Sequence, residues 1–338
     1  MAKLIIQIPC FNEEGQLAET LAALPRTLSG FDTIETLVID DGSIDATSDV
    51  ARRAGATYLL RFPTHLGLAK AFSAGLDAAL KLGADVIVNT DADGQYRGDD
   101  VGLLVQPILA GQAEMVIGDR APHRMPRFTP TKRVLQGVGS WVVRQLSGTS
   151  TPDATSGFRA FSRRAALRLN VFTKFTYTLE TVIQAGKKNI AISHVPIETN
   201  PDRRPSRLFE SLYVYLKHSF ATLVRMYTIY EPFKVFLGAG ALFVLGGVGI
   251  GARFMAAYMA GRGGGHVQSL ILGAVLFIVG FQTILIGLVA DLIGSNRSLL
   301  EDTLFRVREI ELRLGEGPDV VRLAGEPPQR LEVRRGQR

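Results

Sequence analysis

The chain has 338 residues, 46% of them hydrophobic, with a formal net charge of +6, so it has room for one large domain plus a smaller appendage and is not a disordered chain. The positive balance, with a pI of about 9.5, favours an anionic partner, either phosphate-bearing or a membrane surface. The basic residues form no nucleic-acid recognition module, and a single cysteine, Cys10, excludes an internal disulfide and C-x-x-C metal sites.

The first strand is predicted at Lys3–Ile8. Its apolar run is broken by Gln7, Pro9, Glu13 and Glu14, too early for an export signal, which places the N-terminal domain in the cytoplasm. Asn12 is the expected N-cap of a helix reaching about Ser29, with Glu13 and Glu14 in its first turn. Strand Glu35–Ile39 ends in Asp40-Asp41-Gly42-Ser43, and a helix from Asp45 to Arg53 is stopped by Gly55. Strand Thr57–Arg61 and helix Leu66–Leu82 follow.

The run Val86-Ile87-Val88 has no polar alternation and reads as a strand buried on both faces of a mainly parallel sheet. Beyond it stand Asp91 and Asp93, separated by Ala92. In an extended segment such positions share a side, so both carboxylates can face one ion, with Gln95 as a third oxygen. Hard oxygen ligands suit magnesium or manganese completed by substrate phosphates. The ordinary alternative for a lone D-x-D is a solvated loop.

A helix at Asp99–Ala110 and a strand at Met115–Ile117, ending in Gly118-Asp119-Arg120, complete the alternation of an α/β domain. Ligands in such sheets bind beyond the carboxyl ends of the strands. Pro9 to Glu13, Asp40-Asp41, Asp91 to Gln95 and Arg120 all fall there. Neither G-x-G-x-x-G after the first strand nor a P-loop occurs, which disfavours a dinucleotide oxidoreductase and a P-loop NTPase.

From Ala121 to Thr155 the chain is basic, with a helix expected at Arg133–Leu146 around the lone Trp141. These cations are either a solvated face or an anion funnel beside the metal site. Helices are expected at Arg163–Leu169 and Phe172–Gln184, and an extended stretch at His194–Thr199. Leu208 to Tyr230 has helical apolar spacing with aromatic and basic flanks, fitting a helix lying in the lipid interface or, alternatively, an ordinary core helix.

Two membrane spans are placed at about 233–256 and 267–293, joined by a short glycine-rich connector. Arginine and lysine concentrate on both outer flanks of this hairpin, which puts the tail on the side of the catalytic domain. Gly247 and Gly251 have small-xxx-small spacing for a helix contact, and Gln282 is a candidate polar link between the spans. A separate amphipathic helix is expected at Ser298–Leu314, then a flexible basic tail. The expected division is therefore a catalytic domain over 1–200, a linker and interfacial helix over 201–232, the hairpin over 233–293, and a cytoplasmic helix and tail over 294–338.

Five segments, I-P-C-F-N-E-E (Ile8 to Glu14), V-I-D-D-G-S (Val38 to Ser43), D-A-D-G-Q (Asp91 to Gln95), G-D-R (Gly118 to Arg120) and T-S-G-F-R-A-F-S-R (Thr155 to Arg163), give the chain its likeness. It resembles a family 2 glycosyltransferase with the GT-A fold, and within it the polyprenyl-phosphate glycosyltransferases, including the bacterial two-span ones. That resemblance implies transfer of a sugar from a nucleotide sugar, UDP-glucose favoured, to a polyprenyl phosphate such as undecaprenyl phosphate, with Mg2+ or Mn2+. GDP-mannose and UDP-GlcNAc are the alternative donors.

The resemblance places Pro9, Phe11, Glu13, Ile39 and Asp41, with Asp40 adjacent, around the donor nucleotide, and Asp91, Ala92, Asp93 and Gln95 at metal and pyrophosphate. It places Arg120, Lys132, Arg133 and Arg159, with Arg203 and Arg207 of a basic loop, on the acceptor phosphate, and Asp153 close to the reaction centre. Asp93, Asp153 and Arg120 are thus the expected catalytic residues, with Asp153 orienting rather than deprotonating. It further implies an inner-membrane, multi-pass protein with a cytoplasmic catalytic domain, and homo-oligomerisation through the hairpin is compatible with it.

Three positions depart from the family pattern: His65-Leu66-Gly67 where Asn-x-Gly is common, Arg97 for a proline, and R-R-P-S-R in the closing loop. A processive polysaccharide synthase would carry Q-x-x-R-W, whereas Trp141 follows Ser140. A non-catalytic nucleotide-sugar or lipid-binding protein is the rival outside enzymes, and the intact Asp91, Asp93, Glu13 and Arg120 argue against it.

Overall fold

The structure, a computed structural model, describes residues 2–120, 147–149, 151–171, 177–200, 224–225, 227–261, 267–315, 317 and 320–323. The helix expected at Arg133–Leu146, the linker, most of the interfacial helix and the basic tail lie outside these residues. The chain divides into two compact units, residues 1–208 with 305–338, and residues 209–304.

The first unit is built on an eight-stranded sheet in the order β7-β5-β6-β4-β1-β2-β3-β8, with strands numbered in chain order and β8 formed by Val321–Arg322. Strand β1 (Lys3–Cys10) lies between β2 (Thr33–Asp40) and β4 (Val86–Asn89), parallel to both, and its residues from Leu4 to Cys10 are buried. A strand covered on both faces has no use for polar alternation, which is why L-I-I-Q-I and V-I-V read as continuous apolar runs. Helices α1 (Leu17–Ala23) and α2 (Thr47–Arg53) follow β1 and β2, and β3 (Tyr58–Arg61) continues the sheet outward. The chain then crosses back through α3 (Leu68–Lys81) to place β4 on the other side of β1. This reversal opens a crevice at the carboxyl ends of β1 and β4, where ligands bind in such sheets.

The second half of the sheet departs from the expected alternation. Helix α4 (Val101–Leu109), entered through a 3-10 turn at Gly98–Asp100, leads to β5 (Met115–Asp119). Strand β6 (Arg159–Ser162) is then inserted between β4 and β5, antiparallel to both. Four residues between a loop and a helix are too few for periodicity to reveal a strand. The Ser162 hydroxyl ends β6 by accepting from Ala165 N (3.1 Å), the N-cap of α5 (Arg163–Arg168). Helix α6 (Tyr177–Lys187) leads to β7 (Ile192–Pro196), parallel to β5.

Asn12 is not a helix cap. It has a left-handed backbone (φ 54°), and its side chain accepts from Ile44 N at 3.0 Å. Helix α1 therefore begins only at Leu17, and its extended C-cap Leu24, the residue before Pro25, ends it well short of Ser29.

Helix α7 (Pro232–Met259), in the second unit, has 28 residues, and α8 (Val267–Leu314), which begins in that unit and ends among the residues assigned to the first, has 48; both are long and apolar enough to cross a membrane. The sequence divides α8 into a span and a separate helix; the structure makes it one, because no proline interrupts it and Arg297 pairs with Glu301 one turn on (2.9 Å). The helices meet through glycines spaced by seven, Gly240 and Gly247 on α7 with Gly273, Gly280 and Gly287 on α8. A Cβ at Gly240 would stand 2.7 Å from the Gly280 carbonyl oxygen, and one at Gly247 2.6 Å from that of Gly273. Gly251, expected in this contact, has nothing within 4 Å of a built Cβ, and Gln282 is exposed rather than between the helices.

Candidate active site

Four loops converge at the carboxyl edge of the sheet. The loops after β1 and β2 are laced together: Asn12 N donates to Ser43 Oγ (3.0 Å), Glu13 N to Thr47 Oγ1 (2.8 Å), and Ala46 N to Glu14 Oε2 (2.9 Å). Gly42 has φ 71°, and a Cβ there would collide with the backbone of Thr64, so only glycine fits.

The donor-side residues divide by exposure. Pro9, Ile39, Asp40, Asp41 and Ala92 are buried, while Phe11 is exposed and Glu13 half-buried. Asp40 accepts from Ser43 N (2.8 Å) and from the Ser48 hydroxyl, and so shapes its own loop. Asp41 accepts from Leu66 N (2.7 Å) and Gly67 N (2.9 Å), and His65 Nδ1 lies 2.9 Å from it. The His65 ring in turn stacks on Phe11, with centroids 3.9 Å apart. Histidine at the position where asparagine was expected thus adds an aromatic face beside Phe11.

The paired acids do not continue β4, which ends at Asn89; Asp91 to Asp93 form a turn in which Asp93 Oδ1 accepts from Gln95 N (3.0 Å). Period-two geometry is therefore not what brings them together. Burial and the nearby Asp93 push the Asp91 carboxyl up to about 7, against the opposing pull of Arg120 and Arg159. Two carboxylates that repel in this way fit a divalent cation. Among the described residues no group of three His, Cys, Asp or Glu surrounds such an ion, so its other ligands would be the Gln95 amide, water and a diphosphate.

The acidic turn is braced from outside. Asn200 donates from its backbone to Gln95 O (2.9 Å) and from its side chain to Gly94 O (2.9 Å), and Arg97, in place of the expected proline, pairs with Glu198.

Arg120, at the end of β5, grips Asp153 with Nε to Oδ2 (2.7 Å) and Nη2 to Oδ1 (3.1 Å), and Nη2 also reaches Thr155 Oγ1 (2.9 Å). Burial alone would raise the Asp153 carboxyl, but the Arg120 charge and the Thr155 hydroxyl hold it below the ordinary carboxylate range. A carboxylate so held is a poor base and a good brace for the guanidinium.

Arg159 departs from expectation. It is fully buried, donating to the carbonyls of Ser156 (2.7 Å), Thr178 (2.8 Å) and Ala154 (2.7 Å) and to Thr181 Oγ1 (2.6 Å). Those bonds hold the 154–158 loop and leave no place for a substrate phosphate, so Arg159 is structural. Cys10 is buried and its thiol is pushed up by burial, with Glu13 and Asp40 adding to the effect, so it is no nucleophile. Lys132, Arg133, Arg203 and Arg207 lie outside the described residues.

Sequence reasoning missed the polar groups behind Asp91. Asn89, Tyr96, Gly157 and Tyr177 form a buried hydrogen-bonded cluster there. The one signal for it is the asparagine that closes the apolar run V-I-V-N before the acids.

A mainly parallel sheet with an acidic turn at its crevice and an arginine on the next strand is an α/β architecture of the GT-A kind. Solved structures of glucosyl-3-phosphoglycerate synthase from Mycobacterium tuberculosis share this fold, one bound to Mn2+ and UDP, with a TM-score of 0.52 and 21% identity over 67% of this chain and 80% of that one. The sequence profile described as "Glycosyl transferase family 2" matches residues 5–169. The chain is 32% identical over 202 residues to an uncharacterized protein of Methanocaldococcus jannaschii, covering 58% of this chain and 81% of that protein. It is 30% identical to the UDP-N-acetylglucosamine–dolichyl-phosphate N-acetylglucosaminyltransferase of Methanococcus voltae (57% and 83% covered), and 27% identical to the polyprenol monophosphomannose synthase of Mycolicibacterium smegmatis (58% and 76%). The chain belongs to glycosyltransferase family 2 and is a glycosyltransferase.

Proposed function

We propose that the protein transfers a hexose from a nucleotide sugar, UDP-glucose favoured, to a polyprenyl phosphate such as undecaprenyl phosphate, at the cytoplasmic face of the membrane that α7 and α8 cross as a hairpin. The observation that carries this reading is the meeting of Asp91 and Asp93 with the Arg120–Asp153 pair at one sheet edge, in a chain that continues into two such apolar helices. Relatives whose names specify dolichyl phosphate or polyprenol as the lipid support the acceptor class. Their sugars are N-acetylglucosamine and mannose, which keeps UDP-GlcNAc and GDP-mannose as alternative donors.

Charge dictates the chemistry. A lipid phosphate oxygen attacks the anomeric carbon, the bond from that carbon to the diphosphate breaks, and the nucleoside diphosphate leaves. Magnesium or manganese at Asp91 and Asp93, with Gln95 beside them, would neutralise the departing diphosphate. Arg120 spends Nε and Nη2 on Asp153 and Thr155; Nη1, which bonds to none of the described residues, is suited to the acceptor phosphate, while Asp153 holds the guanidinium in place. A phosphate monoester with a second pKa near ~6 is already largely ionised, so no base is needed. Phe11 and His65 offer an aromatic face for the base of the donor.

The test is transfer of label from UDP-glucose, UDP-GlcNAc and GDP-mannose into undecaprenyl phosphate by the full chain in detergent, with Mg2+ or Mn2+. We expect metal-dependent transfer from one donor, with Asp93→Asn on the order of a hundredfold slower or worse. Transfer that survives both chelation and Asp93→Asn would overturn the assignment.

A further inference from the structure

Asn89 is the last residue of β4 and is fully buried. A side-chain amide on a central strand must find partners for each polar position or cost stability. Here each is used: Oδ1 accepts from Gln7 Nε2 on β1 (2.8 Å), and Nδ2 donates to the Gly157 carbonyl (2.8 Å) and to the Tyr177 hydroxyl (2.9 Å). Gln7 and Asn89 are register partners across the β1–β4 pair, so the amides meet side by side.

The Gly157 peptide is also held from its other end. Its N–H donates to the Tyr96 hydroxyl (3.1 Å), and the Tyr96 ring stacks on Phe158 with centroids 4.9 Å apart. Asn89 precedes the acidic turn and Tyr96 follows it, so one glycine is gripped by residues on both flanks of Asp91 and Asp93. The grip is tight enough to need glycine: a Cβ at 157 would stand 2.9 Å from Asp91 Oδ2 and 3.0 Å from the Tyr177 hydroxyl. The loop that ends at Gly157 carries Asp153 and Thr155, the two residues bonded to Arg120.

We infer that Asn89 is a positioning residue that, together with Tyr96, locks the Gly157 backbone behind Asp91 and thereby fixes the acidic turn in register with the Arg120–Asp153 pair. The inference rests on the reading of Asp91 and Asp93 as the cation and diphosphate site. Donor and acceptor halves come from segments far apart in the chain, and a fixed separation between them is what transfer between two bound anions requires. Groups that orient metal-binding carboxylates from behind typically affect metal affinity or activity by about 10- to 100-fold.

Two variants test it on the full chain in detergent. Tyr96→Phe removes one hydroxyl and keeps the ring, so it should fold; Asn89→Leu keeps the volume and removes the amide. Mn2+ affinity, read by electron paramagnetic resonance with UDP present, turnover, and the thermal midpoint are followed together. We expect Mn2+ affinity and kcat to fall roughly tenfold or more in each, and the double variant to lose little beyond the worse single one, because both grip the same peptide. Lowered thermal midpoints with Mn2+ affinity and turnover per folded molecule within twofold of the parent would reduce Asn89 and Tyr96 to structural groups and overturn the inference. A parent protein that binds neither Mn2+ nor UDP would overturn the underlying site assignment instead.

Discussion

Asp91 and Asp153 stand at one sheet edge and depart from the ordinary carboxylate value in opposite directions. Without a cation, Asp91 keeps its proton up to about 7, so the folded state binds that proton more tightly than the unfolded chain does. Its contribution is present at low pH and is lost as pH rises from about 4 through 7. Asp153 acts the other way, stabilising above the ordinary carboxylate value and losing that contribution as pH falls through its lowered one. In thermal scans of metal-free protein, the midpoint of the parent relative to Asp91→Asn should therefore fall between about pH 4 and pH 7 and level off above it. A difference that is flat across that range would show that Asp91 is not strained. At this scale Asp91, Asp93 and Arg120 are legible in the sequence because they closely follow β4 and β5, whereas Asp153, in the loop before β6, is indicated by the family resemblance alone. Arg159, which the resemblance implies for the acceptor phosphate, is enclosed by four partners of its own, and nothing in the S-G-F-R stretch announces them.

Among the elements, α7 and α8 carry the clearest mismatch between composition and contact. Glycine is common in both helices, yet Gly240, Gly247, Gly273, Gly280 and Gly287 are buried, while Gly238, Gly249, Gly251 and Gly294 have nothing near a built Cβ. Helix association in lipid depends on such close backbone approach. Gly240→Leu should separate the helices at a cost on the order of 1–3 kcal/mol, whereas Gly251→Leu should be neutral. Resistance to unfolding in graded denaturing detergent compares the two; equal effects would refute the packing. Spacing in the sequence nominates several glycine pairs, and only the rotation of each helix about its axis selects among them. The single 48-residue α8 is a related case, since a change from apolar to amphipathic composition marks a change of surroundings and not a break in the backbone. At 1.5 Å per residue that helix is roughly 72 Å long, more than twice a bilayer core of ~30 Å.

Taken whole, the chain closes its catalytic unit with residues from its far end. Val321–Arg322 forms β8, antiparallel to β3, and Arg308 Nη1 bonds to Asn170 Oδ1 (2.8 Å) beyond the end of α5. Truncation after Leu304 should thus expose the β3 edge and lower the thermal midpoint of the catalytic unit by a few degrees, for a loss of roughly 1 kcal/mol, although every motif of the family is retained. An unchanged midpoint would make the tail dispensable. The sequence by itself determined the order of strands and helices as far as β5, the placing of acidic and basic motifs at the ends of those strands, and the two long apolar runs. Each of these is written in local periodicity and in the direction of a strand. Tertiary structure alone decided the antiparallel insertion of β6, the burial of Arg159, the Arg120–Asp153 pairing, the grip of Asn89 on Gly157 and the return of the tail. The Arg120–Asp153, Asn89–Gly157 and Arg308–Asn170 bonds join positions 33, 68 and 138 residues apart, and which of many distant polar groups become partners is settled only when packing removes water from between them.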